Sequence, residues 1–219
     1  RPEFGATYWI FVSWRQNMRP VELPGALRRL RKAVKAWRTP VVTEISRRRD
    51  PFHVLASCLL SLRTRDEITE AASERLFALA ETPGKLLHCD LRLVEKAIYP
   101  VAFYRNKTRV LFDVCRNLID HHQGKVPDTL EALLKLKGVG RKTANLTLIL
   151  GHGRKGICVD THVHRISNRW GYVKTRAADE TETALRKKLP ERYWMEYNDL
   201  LVTFGQNLCK PISPLCSQC

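Results

Sequence analysis

Residues 127–151 constrain the fold more than any other stretch, because a glycine-containing turn separates two amphipathic segments there. Asp128, followed three residues later by Glu131, is typical of an N-capping box at the start of the first helix. Gly138 and Gly140 permit the backbone geometry of a tight turn, and helical spacing of apolar residues resumes directly after them. The stretch therefore predicts a helix–hairpin–helix.

The glycine turn is predicted to bind a phosphate group of a nucleic acid. Gly138 and Gly140 carry no side chains, so that a DNA backbone can approach closely, and the second helix points its amides and positive dipole end at the turn. Arg141 and Lys142 follow directly. Contacts of this kind hold a position without reading base sequence. An ordinary turn between two core helices is the alternative interpretation.

Lys142 is also a candidate nucleophile. An amine must be uncharged in order to attack, and the positive end of a helix together with Arg141 disfavours the ammonium form. A lysine at this position is therefore suited to forming a Schiff base. The competing interpretation is a lysine that only contacts phosphate, which would hold for most lysines in such a loop.

Apolar residues at helical spacing dominate the rest of the chain. Leu27, Leu30 and Val34 repeat at steps of three and four, and Pro51 can occupy the first turn of a second apolar helix. Short polar segments separate these stretches, and no strand-like alternation of any length occurs. We therefore predict an all-α fold.

The charge of the chain predicts a polyanionic partner. Its 38 Lys and Arg residues outnumber 22 Asp and Glu residues, which gives a formal net charge of +16. Nucleic acid is the commonest partner of so basic a protein, with a solvated basic surface or an anionic membrane as alternatives. No apolar run approaches the roughly 20 residues that span a bilayer, so we expect no membrane segment.

The cysteines suggest a metal centre near the C-terminal end. Their odd number, seven, and their scattered upstream positions argue against a disulfide framework. Cys209, Cys216 and Cys219 cluster within eleven residues, which is a ligand pattern of a reducing, intracellular compartment. Both tetrahedral zinc and an iron–sulfur cluster suit three thiolates, and spacing alone favours zinc.

Four motifs and the cysteine spacing occur in a specific order from about residue 50 onward. The motifs are residues 60–66 (LSLRTRD), 103–107 (FYRNK), 136–144 (LKGVGRKTA) and 159–162 (VDTH). Together they resemble the endonuclease III branch of the helix–hairpin–helix DNA glycosylases. The resemblance implies two helical lobes with duplex DNA between them.

The resemblance also implies where the lobes begin and end. A six-helix barrel that carries the hairpin is expected at residues 44–154, and a second lobe with the cysteine cluster at residues 18–43 plus 155–219. Residues 1–17 look like a non-native leader, because their first four residues resemble a cloning-site remnant and a methionine follows at position 18. They are left out of the fold prediction.

The implied activity is that of a bifunctional glycosylase and lyase that excises oxidised pyrimidines from duplex DNA. Lys142 would attack C1′ of the damaged nucleotide, and β-elimination would then cleave the strand. Asp160, from the opposite side of the cleft, would stabilise positive charge that builds on the sugar. The alternative for Asp160 is an N-cap of the following helix, and both roles can hold at once.

Extrusion of the damaged nucleotide is implied as well, and it leaves a gap in the duplex. Arg63 and Phe103 are the candidates to fill it, where many family members carry glutamine and leucine. A surface arginine and a core phenylalanine are the competing interpretations. Lys137, where many members have proline, is expected to add charge beside the phosphate site. The remaining expected DNA contacts are Gly138, Val139, Gly140, Arg141, Thr143, Arg105, Lys107 and His162.

The resemblance moves the metal interpretation from zinc to a [4Fe–4S] cluster held by Cys209, Cys216 and Cys219. Its fourth cysteine is expected six positions after Cys219, which is the last residue of this chain. Loss of the C-terminal end, a different fourth ligand and absence of the cluster are all open, and loss is favoured. A monovalent cation at the hairpin turn is implied too.

The expected partner is double-stranded DNA that contains a damaged base or an abasic site, bound by a monomer. The expected location is the cytoplasm, in association with the nucleoid, if the source is bacterial or archaeal. Three other functions are open: a non-catalytic module that grips duplex DNA, a monofunctional glycosylase for mismatched or damaged bases, and, more remotely, a zinc-dependent nuclease.

Overall fold

The computed structural model describes residues 22–37, 40–46 and 50–219 of the protein. Every regular element within these ranges is helical, and the prediction of an all-α fold is confirmed. The leader predicted at residues 1–17 lies outside the described residues. In the described part of the chain, no helix is both long enough and apolar enough to cross a lipid bilayer.

The α-helices are numbered in chain order. They are α1 (Leu23–Ala33), α2 (Val41–Ser46), α3 (Pro51–Ser61), α4 (Asp66–Leu79), α5 (Pro83–Leu87), α6 (Leu91–Ile98), α7 (Tyr104–His122), α8 (Leu130–Leu134), α9 (Arg141–Leu146), α10 (Thr161–Arg169), α11 (Ala178–Lys188) and α12 (Trp194–Asn207). Helix α9 continues into a π-helical turn at Thr147–Gly151. Short 3₁₀ turns lie at Val34–Ala36, Glu191–Tyr193 and Cys216–Gln218.

The described residues form two compact units, each with its own hydrophobic core. The hairpin unit comprises residues 40–46 and 50–156, with α2 to α9. The cysteine-loop unit comprises residues 22–37 and 157–219, with α1 and α10 to α12. These boundaries lie a few residues from those expected, which were 44–154 for one lobe and 18–43 plus 155–219 for the other.

Helix α3 is the centre of the hairpin unit. Residues 52–60 are all buried, as expected of a helix that is apolar on every side. Its N-terminus is capped by Asp50, whose carboxylate accepts amide hydrogen bonds of 2.8 and 3.0 Å. Gly151, at the end of the hairpin, packs directly on Pro51, because a Cβ at Gly151 would lie 2.8 Å from the Pro51 Cα. The second hairpin helix is thereby fixed to the core helix.

In the cysteine-loop unit, α10 packs closely against α12. Val163, Ile166 and Leu201 are fully buried between these helices and their neighbours. Gly205 of α12 makes the close approach possible, since a Cβ there would lie 2.9 Å from the Arg165 guanidinium. The buried face of α10 is therefore packed directly on α12.

The predicted capping box at the first hairpin helix is wrong. Helix α8 begins at Leu130 and is capped by Thr129, whose hydroxyl accepts a 3.3 Å hydrogen bond from the Ala132 amide. Asp128 stands one residue too early to cap this helix, and its carboxylate instead forms an ion pair with Arg154. The hydrogen bond and charge of Arg154 lower the pKa of Asp128.

Candidate active site and nucleic-acid interface

The hairpin turn needs its two glycines for different reasons. Gly138 has a positive φ of 78°, and a Cβ there would lie 2.7 Å from the Cγ1 of Val110 on α7. Val139 is buried, and its amide donates a 3.1 Å hydrogen bond to the Leu136 carbonyl. A Cβ at Gly140 would meet no atom within 4 Å. Gly138 is therefore required by the fold, whereas Gly140 leaves space for an approaching ligand.

Helix α9 starts from this turn with two exposed basic residues. Arg141 and Lys142 are exposed in its first turn, and the Thr143 side chain is buried. With the π-helical turn that follows it, α9 forms one helical stretch over residues 141–151. The positive end of such a stretch favours an anion at the turn. A contact of Thr143 with DNA, as predicted, would have to come from its backbone.

The charge of Lys142 acts on a buried thiol of the core helix. Cys58, on α3, is 2% exposed, and burial raises the pKa of its thiol to about 12, while the positive charge of Lys142 opposes the rise. A thiol with this pKa stays protonated near neutral pH. Cys58 therefore offers Lys142 neither a negative charge nor a proton acceptor.

Asp160 caps α10 in the cysteine-loop unit. Its Oδ1 accepts hydrogen bonds of 2.9 Å from the amides of His162 and Val163, and the residue is 7% exposed. The N-cap alternative is thus confirmed, and the catalytic role stays a prediction. The ring of His162 is half-buried, and its Nδ1 lies 3.1 Å from a guanidinium nitrogen of Arg165. Its predicted contact with DNA is untested.

The two candidates for filling the gap lie next to each other. The guanidinium carbon of Arg63 is 6.0 Å from the centre of the Phe103 ring, and Phe103 is 63% exposed. The alternative of a core phenylalanine is therefore wrong. Both residues have left-handed backbones, with φ of 55° for Arg63 and 59° for Phe103. Residues other than glycine rarely adopt this conformation, and such strain concentrates at functional sites.

Lys107 does not lie where a contact with DNA phosphate requires it. It is 8% exposed, and its Nζ donates hydrogen bonds to the carbonyls of Leu60 (2.7 Å) and Leu62 (2.6 Å) and to the hydroxyl of Thr64 (3.1 Å). Burial lowers the pKa of this ammonium group to about 8. The position fits an internal structural role and corrects the predicted surface role. Arg105, by contrast, is exposed, in keeping with its predicted DNA contact.

Lys137 is paired with an acidic residue beside the turn. Its Nζ donates a 2.8 Å hydrogen bond to a carboxylate oxygen of Asp113 on α7. The charge expected from the sequence is thus partly offset, because an acidic side chain of α7 pairs with the lysine, although that carboxylate also lies 3.8 Å from Arg116. The pair ties the turn to the same helix that Gly138 contacts through Val110.

The three clustered cysteines are close enough to influence one another. Burial and the sulfurs of Cys209 and Cys216 raise the pKa of the Cys219 thiol. Cys209 is half-buried and the other two are exposed. Among the described residues, however, no three Cys, His, Asp or Glu side chains already stand as a group that could hold a metal ion. The thiols supply suitable donors for a metal centre without forming a closed ligand set.

Two arginines of α10 support the cysteine loop, and sequence analysis missed both. Arg169 donates hydrogen bonds to the carbonyls of Lys210 (2.7 Å) and Pro211 (2.9 Å), and Arg165 donates to that of Cys209 (2.7 Å). A guanidinium nitrogen of Arg169 also lies 3.4 Å from the Cys209 sulfur. Their spacing of four residues, which places them on one face of α10, was the available signal.

Comparisons with known proteins agree with this arrangement. Residues 56–191 match the model of the HhH-GPD superfamily of base excision DNA repair proteins. Endonuclease III of Thermotoga maritima is 50% identical over 170 residues, which cover 78% of this chain and 80% of that protein. Endonuclease III-like protein 1 of Gallus gallus is 38% identical over 229 residues, which cover all of this chain and 79% of that protein.

A solved structure of a trapped covalent intermediate between endonuclease III and DNA superposes on this fold with a TM-score of 0.82. The two chains are 32% identical, and the match covers 92% of this chain and 93% of the other. The identity to relatives and the match of the family model to more than half of the chain lead to one assignment. This protein belongs to the endonuclease III branch of the HhH-GPD superfamily of base excision DNA repair proteins.

Proposed function

We propose that the protein excises damaged bases from duplex DNA and then cleaves the strand at the resulting abasic site. The observation that carries the proposal is the hairpin turn, where the left-handed Gly138 leads into a helix with Lys142 exposed in its first turn. Such a turn binds a backbone phosphate and presents an amine beside it. A covalent DNA intermediate has been trapped for the similar endonuclease III structure, which supports an amine-based covalent step here.

In the proposed reaction, the Lys142 amine attacks C1′ of the damaged nucleotide and the N-glycosidic bond breaks. The base leaves with a proton, and the amine is then bonded to C1′. The C1′–O4′ bond breaks next, O4′ takes up a proton, and the amine and C1′ form a protonated Schiff base. Removal of a proton from C2′ then expels the 3′ phosphate, which is the β-elimination step. Water hydrolyses the remaining Schiff base and regenerates the lysine.

Asp160 is proposed to assist bond cleavage through its negative charge. Loss of the base leaves positive charge on the sugar, which a nearby carboxylate stabilises. The residue also caps α10, so its carboxylate is held in place by two amides of the same helix. A carboxylate fixed in this way loses little energy to reorganisation during the reaction.

The proposed substrates are oxidised pyrimidines, extruded from the duplex before reaction. Arg63 and Phe103 are proposed to occupy the gap, since both are exposed and lie side by side. The guanidinium can donate hydrogen bonds to the orphaned base, and the aromatic ring can wedge between neighbouring bases. The turn residues and Arg105 are proposed to contact the DNA backbone.

A [4Fe–4S] cluster is proposed at Cys209, Cys216 and Cys219, with a fourth ligand from outside this set. Arg165 donates to the Cys209 carbonyl and a guanidinium nitrogen of Arg169 lies 3.4 Å from the Cys209 sulfur, so that α10 holds the first of the three proposed ligands in place. When bound, the group would fix the loop by linking three of its residues. The proposal of a monovalent cation at the hairpin turn rests on the family resemblance alone.

The proposed partner is double-stranded DNA with a damaged base or an abasic site, bound by a monomer. The basic charge of the chain supports this partner, because neutralised phosphates release counterions. In a bacterial or archaeal cell, the protein would work in the cytoplasm with the nucleoid.

Borohydride trapping tests the function directly, on a duplex oligonucleotide with one thymine glycol. Borohydride reduces a Schiff base to a stable amine, so the wild type should become covalently attached to the DNA. Lys142→Gln should bind the duplex and form no adduct. Lys137→Gln is the matched control, because it removes a lysine of the same turn that is paired with Asp113.

The outcomes separate the competing functions. An adduct from the wild type and Lys137→Gln, and none from Lys142→Gln, assigns the amine to Lys142. Base release without an adduct would instead make the protein a monofunctional glycosylase. Binding with neither release nor adduct would leave only a passive DNA-gripping module.

A further inference from the structure

The side chains of Arg63 and Phe103 are presented by two separate connections of the hairpin unit. Arg63 lies in the turn between α3 and α4, and Phe103 directly precedes α7. Each has a left-handed backbone, which is unfavourable for a residue with a Cβ. Such conformations persist only where surrounding contacts enforce them. Several contacts to the two connections come from one residue.

Lys107 is joined to both connections. Its amide donates a 3.0 Å hydrogen bond to the Phe103 carbonyl, as part of the first turn of α7. Its ammonium group reaches across to the carbonyls of Leu60 and Leu62, the latter of which directly precedes Arg63. One residue thus holds the backbone at Phe103 with its main chain and the backbone before Arg63 with its side chain.

Thr64 provides a second link between the same two connections. Its hydroxyl oxygen accepts hydrogen bonds from the Lys107 ammonium at 3.1 Å and from the Ala102 amide at 3.3 Å. Thr64 directly follows Arg63, and Ala102 directly precedes Phe103. Leu62 and Thr64, on either side of Arg63, thus bond directly to the buried ammonium, and Ala102, beside Phe103, is linked to it through the Thr64 hydroxyl.

We propose that Lys107 is a positioning residue that holds Arg63 and Phe103 as one unit, so that both side chains enter the gap left by the extruded nucleotide together. The inference rests on the proposed base-excision function. Without the ammonium group, two carbonyls and a hydroxyl lose their shared donor, and the strained turns relax independently. The side chain of Lys107 itself touches neither the damaged base nor the sugar.

The test compares two substrates that differ only in whether a gap has to be filled. One is a duplex with a single thymine glycol, and the other carries the same lesion inside a bubble of unpaired bases. Extrusion from the bubble breaks no base pair, so gap filling contributes little there. Lys107→Met removes the donors and keeps an unbranched side chain of similar length. We expect it to lower single-turnover excision from the duplex by about 10²-fold, and from the bubble by about threefold or less.

Two further variants distinguish loss of positioning from a general folding defect. Thr64→Val retains Lys107 and removes the shared hydroxyl, and it should lower duplex excision by about fivefold with the bubble unaffected. Lys96→Met is the matched control, since it removes an exposed lysine of α6 in the same unit and should leave the ratio between the substrates unchanged. Equal losses on both substrates from Lys107→Met and Thr64→Val would overturn the inference.

A double-mutant cycle measures whether the two side chains act together. Arg63→Ala and Phe103→Ala should be strongly non-additive in the wild type and additive in the Lys107→Met background. Equal coupling in both backgrounds would contradict the positioning role, while duplex excision by the wild type would still support the proposed function. Failure of the wild type on both substrates would instead contradict the proposed function itself.

Discussion

The hairpin turn and the cysteine loop are both short connections with a proposed chemical task, yet they are stabilised in opposite ways. The turn is determined by the polypeptide alone. Gly138 adopts a conformation that favours glycine and packs on Val110, and the Val139 side chain is buried. Lys137 adds an ion pair with Asp113. These contacts fix the turn before any ligand binds.

The cysteine loop, residues 209–219, has few such contacts of its own. Ile212 is 82% exposed, and two of the three cysteines are exposed as well. The carbonyl groups at the start of the loop are held by side chains of α10 and not by a regular element. An apolar residue as exposed as Ile212 contributes almost nothing to stability. We infer from this difference that the loop would take much of its order from the proposed cluster, whereas the turn needs no bound group.

The largest effect is expected from removing one proposed ligand of the cluster. Cys209→Ser should remove the visible iron–sulfur absorbance and lower the affinity for damaged duplex by about 10²-fold, because the loop loses its bound group. The urea concentration at which the hairpin unit unfolds, measured by hydrogen exchange, should stay as in the wild type. Iron and sulfide analysis measures the cluster directly.

Cys89→Ser is the control for this substitution. Cys89 is a half-buried free cysteine of the hairpin unit, so its replacement should leave iron content and affinity as in the wild type. A colourless wild type that contains zinc would contradict the cluster, and an equal loss of protection in the hairpin unit would contradict the comparison.

The next largest effect is expected at the turn, where alanine substitutions should distinguish the roles of its two glycines. Gly138→Ala should destabilise the protein by about 1–3 kcal/mol, because the positive φ and the contact with Val110 both oppose a Cβ. Adding Val110→Ala should recover only the part due to the contact. Denaturant unfolding measures these changes.

Gly140→Ala is the matched comparison, because a Cβ there meets no atom and the backbone φ is −86°. It should leave stability nearly unchanged and weaken DNA binding, since the methyl group stands where a phosphate approaches. A stability loss equal to that of Gly138→Ala would contradict the distinction between the two glycines.

Features fixed by local backbone geometry could be predicted from the sequence, whereas contacts between distant residues could not. The turn was predictable because the roles of Gly138 and Gly140 follow from local backbone geometry. The burial of Lys107 was not, because its three acceptors are more than 40 residues away in the chain. The pairing of Lys137 with Asp113 escaped prediction for the same reason, as it joins residues 24 positions apart.

The capping residue of α8 was predicted wrongly for a more local reason. Thr129 and Asp128 are adjacent and both are good N-cap residues, so the pattern could not select between them. The pairing of Asp128 with Arg154, which lies 26 residues later, was not visible in the sequence. Local patterns thus predicted the glycine turn but could not decide between two adjacent capping residues, and contacts with distant side chains could not be predicted from them.

The smallest expected effect probes the support of the cysteine loop by α10. Arg169→Ala removes donors to the carbonyls of Lys210 and Pro211, and it should destabilise the loop by about 1–2 kcal/mol while the fold persists. Iron release to a chelator should therefore be faster, whereas unfolding of the hairpin unit should not change. Arg176→Ala, at an exposed arginine of the same unit, is the control. If Arg169→Ala releases iron no faster than this control, the loop is held by its bound group alone, and the contribution of the polypeptide is even smaller than the comparison with the turn implies.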